Sequence, residues 1–142
     1  MSSDRKKEII SSLPNSEIEF GQGETVLLVE SSETLLRLGK SVLEKLNYRV
    51  FTALSRAELV KRQYLSQQKI DLFILDTGLP KRDGKEIIRD IRRDQSQAKI
   101  LFAASSDPAV CSECCEQISA ELIINKPYTV HSISRTIFQA LQ

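Results

Sequence analysis

Short apolar runs alternate with segments of helical periodicity along most of the chain. Five such runs follow one another, at residues 26–29, 50–51, 72–75, 100–103 and 122–124. Runs of this length, without polar residues at every second position, are typical of strands buried on both faces of a parallel sheet. The pattern therefore predicts five strands.

Helical patterns fill the segments between and after these runs. Ser55 and Glu58 have the spacing of a capping box, which predicts a second helix with Ala57, Val60 and Tyr64 on one face. The other helices are marked by Leu35, Leu38, Val42 and Leu46 (first), Ile87, Ile88 and Ile91 (third), the cap pair Asp107 and Pro108 (fourth), and Thr129, Val130, Ile133, Ile137 and Leu141 (fifth).

Five strands and five helices in strict alternation predict the α/β class, with a doubly wound parallel sheet and helices on both faces. In such folds, ligands bind at the carboxyl ends of the strands. We expect residues 1–21, which are polar, to form a flexible or linker tail, and residues 22–142 to form the single domain.

Composition narrows the classes of function. The chain has 142 residues and a net charge of +1, which lacks the strongly basic balance typical of nucleic-acid binding. No apolar run reaches the roughly 20 residues that a membrane-spanning helix needs. We therefore expect no membrane contact. Three cysteines within five positions do not make a disulfide framework, so we also expect a cytoplasmic protein.

Polar residues stand where the first, third and fifth strands end. Glu30, Asp76 and Lys126 occupy these positions, and they would converge if the three strands lie side by side. A carboxylate beside a cation can form an aspartyl-phosphate, and a divalent cation relieves the repulsion of two close carboxylates. Simpler interpretations are a turn residue for Asp76, a solvated loop acid for Glu30 and a surface cation for Lys126.

Three segments, taken together, resemble the receiver domain of two-component response regulators, which is also the chemotaxis-regulator fold. Residues 71–84 have the family's apolar strand and aspartate followed by Leu-Pro and Asp-Gly, residues 23–30 resemble its first strand, and residues 125–129 resemble its Lys-Pro turn with an aromatic. The resemblance covers residues 22–142. It implies a five-stranded flavodoxin-like (βα)5 fold with strand order 2-1-3-4-5.

The resemblance also implies a set of roles. Asp76 would be the phosphoacceptor, with a phosphohistidine of a sensor histidine kinase or a phosphotransfer protein as donor. Glu30, Asp76 and the backbone carbonyl of Gly78 would hold Mg²⁺, and Lys126 would pair with the phosphoryl group. The last helices and strand would bind a downstream partner or a second copy. Such a protein is not an enzyme beyond its own phosphotransfer and slow dephosphorylation.

Two positions depart from the family pattern. Ser31 stands where the family has a second acid, so we expect Mg²⁺ to bind weakly. Ala104 aligns with the hydroxyl residue that closes on the phosphoryl group, and the neighbouring Ser105 would serve only if the register slipped by one. These departures favour an alternative, a non-phosphorylated interaction module, whereas Asp76 and Lys126 favour a phosphoacceptor.

Two further interpretations concern the context of the domain. A phosphatase-like hydrolase would need a second acid two residues after Asp76, where Gly78 stands. Residues 21–25 resemble the linker before the terminal receiver of a hybrid histidine kinase. We therefore expect a signalling module, either independent or part of such a kinase.

Overall fold

The computed structural model describes residues 18–104, 123–126 and 128–142. Within these residues, five parallel strands form one sheet in the order β2-β1-β3-β4-β5, which confirms the predicted fold and strand order. The strands are β1 (Thr25–Val29), β2 (Arg49–Ala53), β3 (Leu72–Asp76), β4 (Lys99–Ala104) and β5 (Ile123–Asn125).

Five helices lie within the same described residues. They are α1 (Glu33–Lys45), α2 (Arg56–Lys61), α3 (Tyr64–Gln67), α4 (Lys81–Asp94) and α5 (Val130–Ala140). None of them is long and apolar enough to cross a bilayer. The fourth helix predicted from Asp107 and Pro108 lies outside the described residues, and so does Ser105.

The three inner strands, β1, β3 and β4, are largely apolar because both faces of the sheet are covered. Their alternate residues contribute to two separate hydrophobic layers, so that Leu28 and Ile74 face one layer while Leu27 and Phe73 face the other. All five residues of β3, the central strand, are buried. This two-sided burial explains why the sequence shows continuous apolar runs instead of alternation.

The second predicted helix is interrupted in the structure. Ser55 accepts a hydrogen bond from the amide of Glu58, as the capping box predicts. The helix ends before Gln63, whose backbone is left-handed with φ 56°. Tyr64 then begins a separate short helix, α3.

This interruption changes which side chains of the segment are buried. The predicted face of Ala57, Val60 and Tyr64 is therefore wrong as a helix face: the buried side chain of α2 is Leu59, whereas Val60 is 50% exposed. The left-handed turn at Gln63 rotates Tyr64 out of the helical repeat. Within α2 itself, Leu59 is the side chain that packs into the same buried layer as Leu65.

The residues just before β1 pack against the domain. Ile18 and Phe20 lie against the layer that contains Leu46, and the amide of Gly21 donates to the carbonyl of Leu46 at 2.8 Å. Asn47, in the left-handed conformation with φ 73°, donates its side-chain amide to the carbonyl of Gly21 at 2.8 Å. The boundary predicted between residues 21 and 22 stays a prediction, and the packed segment includes residues 18–21.

Candidate functional site

The carboxyl ends of three strands bring together the residues predicted to converge. The Lys126 Nζ atom lies 2.5 Å from Asp76 Oδ1 and 2.7 Å from Glu30 Oε1. Lys126 follows β5 and reaches Asp76 across the end of β4, which carries only the methyl side chains of Ala103 and Ala104. Small residues at this strand end leave room for the lysine side chain to pass.

Asp76 is buried and its carboxylate accepts four hydrogen bonds. The residue is 4% exposed. Oδ1 accepts from Lys126 Nζ and from the amide of Gly78 at 2.8 Å. Oδ2 accepts from the hydroxyl of Ser31 at 2.6 Å and from its amide at 3.2 Å. An ionised carboxylate has about four acceptor positions, so the described residues fill all of them.

The charges of the pocket are set by this arrangement. Burial alone would raise the pKa of Asp76, but the ammonium of Lys126 and the hydroxyl of Ser31 outweigh it and hold that pKa well below its usual range. Burial likewise opposes the charge of Lys126, yet its two carboxylate partners raise its pKa. Asp76 is therefore ionised and Lys126 protonated at neutral pH.

Glu30 is completely buried and has three hydrogen-bond donors. Oε1 accepts from Lys126 and from the hydroxyl of Tyr128 at 2.9 Å, and Oε2 accepts from the amide of Ser32 at 3.0 Å. Burial raises the pKa of Glu30 by more than Lys126 lowers it. The two carboxylates at the strand ends thus differ in character, since only Asp76 is stabilised as an anion by four donors.

Tyr128 is the site residue that the sequence did not reveal. It is 1% exposed, and burial together with the charge of Glu30 raises the pKa of its hydroxyl far above the usual value. The hydroxyl is thus protonated and donates to Glu30. The sequence marked this position only as an aromatic after Lys-Pro, and its hydroxyl was the one available signal.

Gly78 leaves space beside the carboxylate of Asp76. A Cβ atom at this position would lie 3.2 Å from both carboxylate oxygens of Asp76. That distance is tighter than ordinary van der Waals contact, so a larger residue would crowd the carboxylate. The predicted role of the Gly78 carbonyl as a metal ligand stays a prediction.

The two positions that depart from the family pattern are both at the pocket. Ser31 donates to Asp76 from its hydroxyl and its amide, as described above. Ala104 ends β4, where its carbonyl accepts from the amide of Lys126 at 2.9 Å. Ala104 supplies no hydroxyl, and Ser105 lies outside the described residues. Residue 104 therefore does not supply the hydroxyl that closes on the phosphoryl group in the family pattern.

The donor set fits a hard divalent cation. Among the described residues, no group of three or more His, Cys, Asp and Glu side chains comes together for a metal ion. Glu30 and Asp76 nevertheless supply two carboxylates that share one ammonium. Mg²⁺ is commonly held by one or two carboxylates, with waters and phosphate oxygens completing its shell. These oxygen donors are compatible with Mg²⁺.

Comparison of the chain with known proteins identifies its family. Residues 26–138 match the family model of the response regulator receiver domain. The KDP operon transcriptional regulatory protein KdpE of Escherichia coli is 32% identical over 119 residues, which are 82% of this chain and 51% of KdpE. The alkaline phosphatase synthesis regulatory protein PhoP of Bacillus subtilis is 27% identical over 79% of this chain and 46% of PhoP. The chain thus spans about half the length of these relatives.

Solved structures share the fold. A response regulator receiver domain protein from Clostridium thermocellum has a TM-score of 0.68 at 24% identity, over 84% of this chain and 94% of that one. The receiver domain of a sensor histidine kinase from Pseudomonas aeruginosa has a TM-score of 0.66 at 24% identity, over 84% and 98% of the two chains. That domain has a magnesium ion coordinated in its active site cleft.

Proposed function

Because the chain belongs to the response regulator receiver domain family, we propose that it accepts a phosphoryl group on Asp76 in two-component signal transduction. The observation that carries the proposal is the buried contact between Asp76 and Lys126 at 2.5 Å. Desolvating a carboxylate and an ammonium at the end of a buried strand costs free energy. That cost is offset only when the two charges pair with each other or with a ligand. Phosphoryl transfer uses both groups.

The reaction is a transfer between a nitrogen and an oxygen. A carboxylate oxygen of Asp76 forms a bond to phosphorus, and the bond between phosphorus and an imidazole nitrogen of the donor phosphohistidine breaks. The electron pair of the broken bond stays on the nitrogen, and the imidazole takes up one proton. The product is an aspartyl-phosphate on the receiver and a free histidine on the donor protein.

Asp76 and Lys126 have distinct parts in this step. Asp76 is kept ionised, so a lone pair is available once one of its four donors moves aside. Lys126 carries the positive charge that faces the incoming phosphoryl oxygens and afterwards pairs with them. The module is a phosphoacceptor and not an enzyme with turnover on external substrates.

Magnesium would be held by Glu30, Asp76 and the backbone carbonyl of Gly78. When bound, Mg²⁺ neutralises charge on the phosphoryl oxygens and orients the group for transfer. Ser31 replaces one family carboxylate, and loss of a ligand weakens a metal site by at least the 10–100-fold that is typical of its supporting contacts. We therefore expect weak binding of Mg²⁺ and slow phosphorylation.

The partners follow from the family. The donor is a sensor histidine kinase or a histidine phosphotransfer protein, and the phosphorylated domain shifts between two states to change a downstream contact. Since residues 21–25 resemble the linker of a hybrid kinase, the terminal receiver of such a kinase is the proposed context. The downstream partner would bind at α5 and β5, or a second copy would bind there.

The test is phosphorylation of the purified protein. We would incubate the chain with Mg²⁺ and acetyl phosphate and measure its intact mass. The expected result is a gain of one phosphoryl group in the parent and none in Asp76→Asn. The matched control is Asp94→Asn, which makes the same chemical change at an exposed position of α4 and should leave the gain intact.

The opposite result would favour the alternative. Absence of a mass gain in the parent, together with failure to bind the phosphoryl analogue beryllofluoride, would contradict phosphoacceptance. The chain would then be a non-phosphorylated interaction module on the receiver fold, the function that Ser31 and Ala104 favour. A gain that persists in Asp76→Asn would instead show that the acceptor is another residue.

A further inference from the structure

Tyr128 contributes a buried hydroxyl to the pocket from outside the three strand ends. Its oxygen lies 2.9 Å from Glu30 Oε1, a contact between residues 98 positions apart. Both side chains are essentially inaccessible, at 1% and 0% exposure. A hydrogen bond from a neutral donor to a buried carboxylate is about twice as strong as one between neutral groups.

This hydroxyl determines which oxygen of Glu30 is left for a ligand. Oε1 already accepts from Lys126 and from Tyr128, so both of its acceptor positions are filled. Oε2 accepts only from the amide of Ser32 among the described residues. One acceptor position, on Oε2, therefore remains for an additional donor or a cation.

A glycine in α1 leaves space for the ring of Tyr128. Gly39 lies within α1, where a Cβ atom would be 3.2 Å from Tyr128 Cδ2 and 2.7 Å from Leu28 Cδ2. Glycine inside a helix costs about 1 kcal/mol relative to alanine. Glycine nevertheless stands at the position of the helix against which the ring of Tyr128 packs.

We propose that Tyr128 is a positioning residue, whose hydroxyl holds the Glu30 carboxylate so that Oε2 faces a divalent cation in the phosphoacceptor pocket. The inference rests on the proposed function, since it concerns the cation that would assist transfer to Asp76. It adds a residue that acts through Glu30 and contacts neither the cation nor the phosphoryl group.

The test makes the same substitution at two buried tyrosines, of which only Tyr128 donates to Glu30. Tyr128→Phe removes the hydroxyl that donates to Glu30. Tyr48→Phe makes the same change at a tyrosine that is 4% exposed and whose hydroxyl has no hydrogen-bond partner among the described residues. Mg²⁺ binding to the unphosphorylated proteins would be measured by titration calorimetry, and folding by thermal unfolding.

We expect Tyr128→Phe to weaken Mg²⁺ binding by about tenfold or more, the effect typical of removing a partner of a metal ligand. Tyr48→Phe should bind Mg²⁺ as the parent does. In the acetyl phosphate reaction, the half-saturating Mg²⁺ concentration of Tyr128→Phe should rise by the same factor. Its rate at saturating Mg²⁺ should be close to that of the parent, a separation that general loosening of the fold would not give.

The outcomes separate this inference from the proposed function. Equal Mg²⁺ affinity of Tyr128→Phe and the parent would overturn the positioning role even if Asp76 is phosphorylated. Absence of measurable Mg²⁺ binding in the parent would overturn it as well. Weakened Mg²⁺ binding in Tyr128→Phe, with no phosphorylation of the parent, would support the positioning role and contradict phosphoacceptance. If Tyr128→Phe did not fold, the hydroxyl would be a structural requirement and the proposal would fall.

Discussion

Among the single residues of the pocket, Ser31 stands where the family pattern has a second acid. Its hydroxyl and its amide both donate to Asp76 Oδ2, the oxygen that Lys126 does not contact. The hydroxyl thus stabilises Asp76 in its ionised form without adding charge. A carboxylate at the same position would repel Asp76 unless a cation lay between them.

Substitution of Ser31 by aspartate tests this interpretation. We expect Ser31→Asp to bind Mg²⁺ about tenfold more tightly or better, because the added carboxylate is a direct oxygen ligand. Without Mg²⁺ the variant should be less stable than the parent, and addition of Mg²⁺ should restore its stability by mass action. Calorimetric titration and thermal unfolding with and without Mg²⁺ measure both effects.

Ser31→Asn is the matched control, since asparagine has the shape of aspartate but no charge. It should bind Mg²⁺ no more tightly than the parent does. Equal Mg²⁺ affinities of Ser31→Asp and Ser31→Asn would show that residue 31 lies outside the reach of the cation. The interpretation that serine at position 31 weakens the metal site would then be wrong.

The sequence predicted the meeting of Glu30, Asp76 and Lys126 because the rule for strand ends depends only on topology. It did not predict how the hydrogen bonds are shared among them. The contacts of Ser31 and Tyr128 depend on side-chain directions, and these follow from packing that no local pattern encodes. The hydroxyl of Tyr128 reaches Glu30 only because the ring is seated beside Gly39.

Among the elements, α1 illustrates packing that overrides local preference. Its glycine, Gly39, is buried and lies against Leu28 and Tyr128. Helical propensity alone would favour alanine there by about 1 kcal/mol. The space that the missing Cβ leaves is occupied by neighbours from β1 and from the segment before α5.

Gly39→Ala should destabilise the domain despite the better propensity of alanine. Overpacking typically costs about 1–3 kcal/mol, so we expect a net loss of about 1 kcal/mol in the free energy of unfolding, measured with urea. Ser41→Ala, at an exposed position of the same helix, should instead be neutral or slightly stabilising. A Gly39→Ala variant as stable as the parent would show that Leu28 and Tyr128 can shift without cost.

The break between α2 and α3 is a feature of the elements that the sequence did not predict. The capping box at Ser55 correctly gave the start of α2. Nothing in the composition of residues 56–67 marks its end, because Gln63 is neither glycine nor asparagine yet has a left-handed backbone. The turn is held by tertiary packing of Leu59 and Leu65, which are buried in the same layer.

At the scale of the whole molecule, the segment before β1 belongs to the packed structure. Ile18 and Phe20 lie against the layer that also contains Tyr48. A Cβ atom at Gly21 would overlap the ring of Tyr48, so the chain passes directly over this ring. This contact could not be predicted from the sequence, since residues 18–21 have too little periodicity to predict an element.

Truncation measures what this segment contributes. A chain without residues 1–23 should lose about 2 kcal/mol of unfolding free energy relative to a chain without residues 1–17, because a buried Ile or Phe contributes roughly 1.5–3 kcal/mol when fully covered and these two are partly covered. Urea unfolding of the two truncated chains gives the difference. Equal stabilities would show that the segment rests on the domain without stabilising it.

The two hydrophobic layers and the parallel sheet fix the strand ends that carry the pocket residues. Asp76 ends the central strand, which is buried along its whole length, and its partners come from the ends of β1 and β5. The proposed function therefore depends on Asp76 being the residue that accepts the phosphoryl group.

Borohydride reduction of the phosphorylated protein identifies the residue that carries the phosphoryl group. Borohydride converts an aspartyl-phosphate into homoserine, whereas free carboxylates are unchanged, and peptide sequencing by mass spectrometry then identifies the modified position. Asp71 lies in the same strand region and is an internal reference for selectivity. We expect homoserine at position 76 and aspartate at position 71. Homoserine at another position, or at none after incubation with Mg²⁺ and acetyl phosphate, would contradict phosphorylation of Asp76.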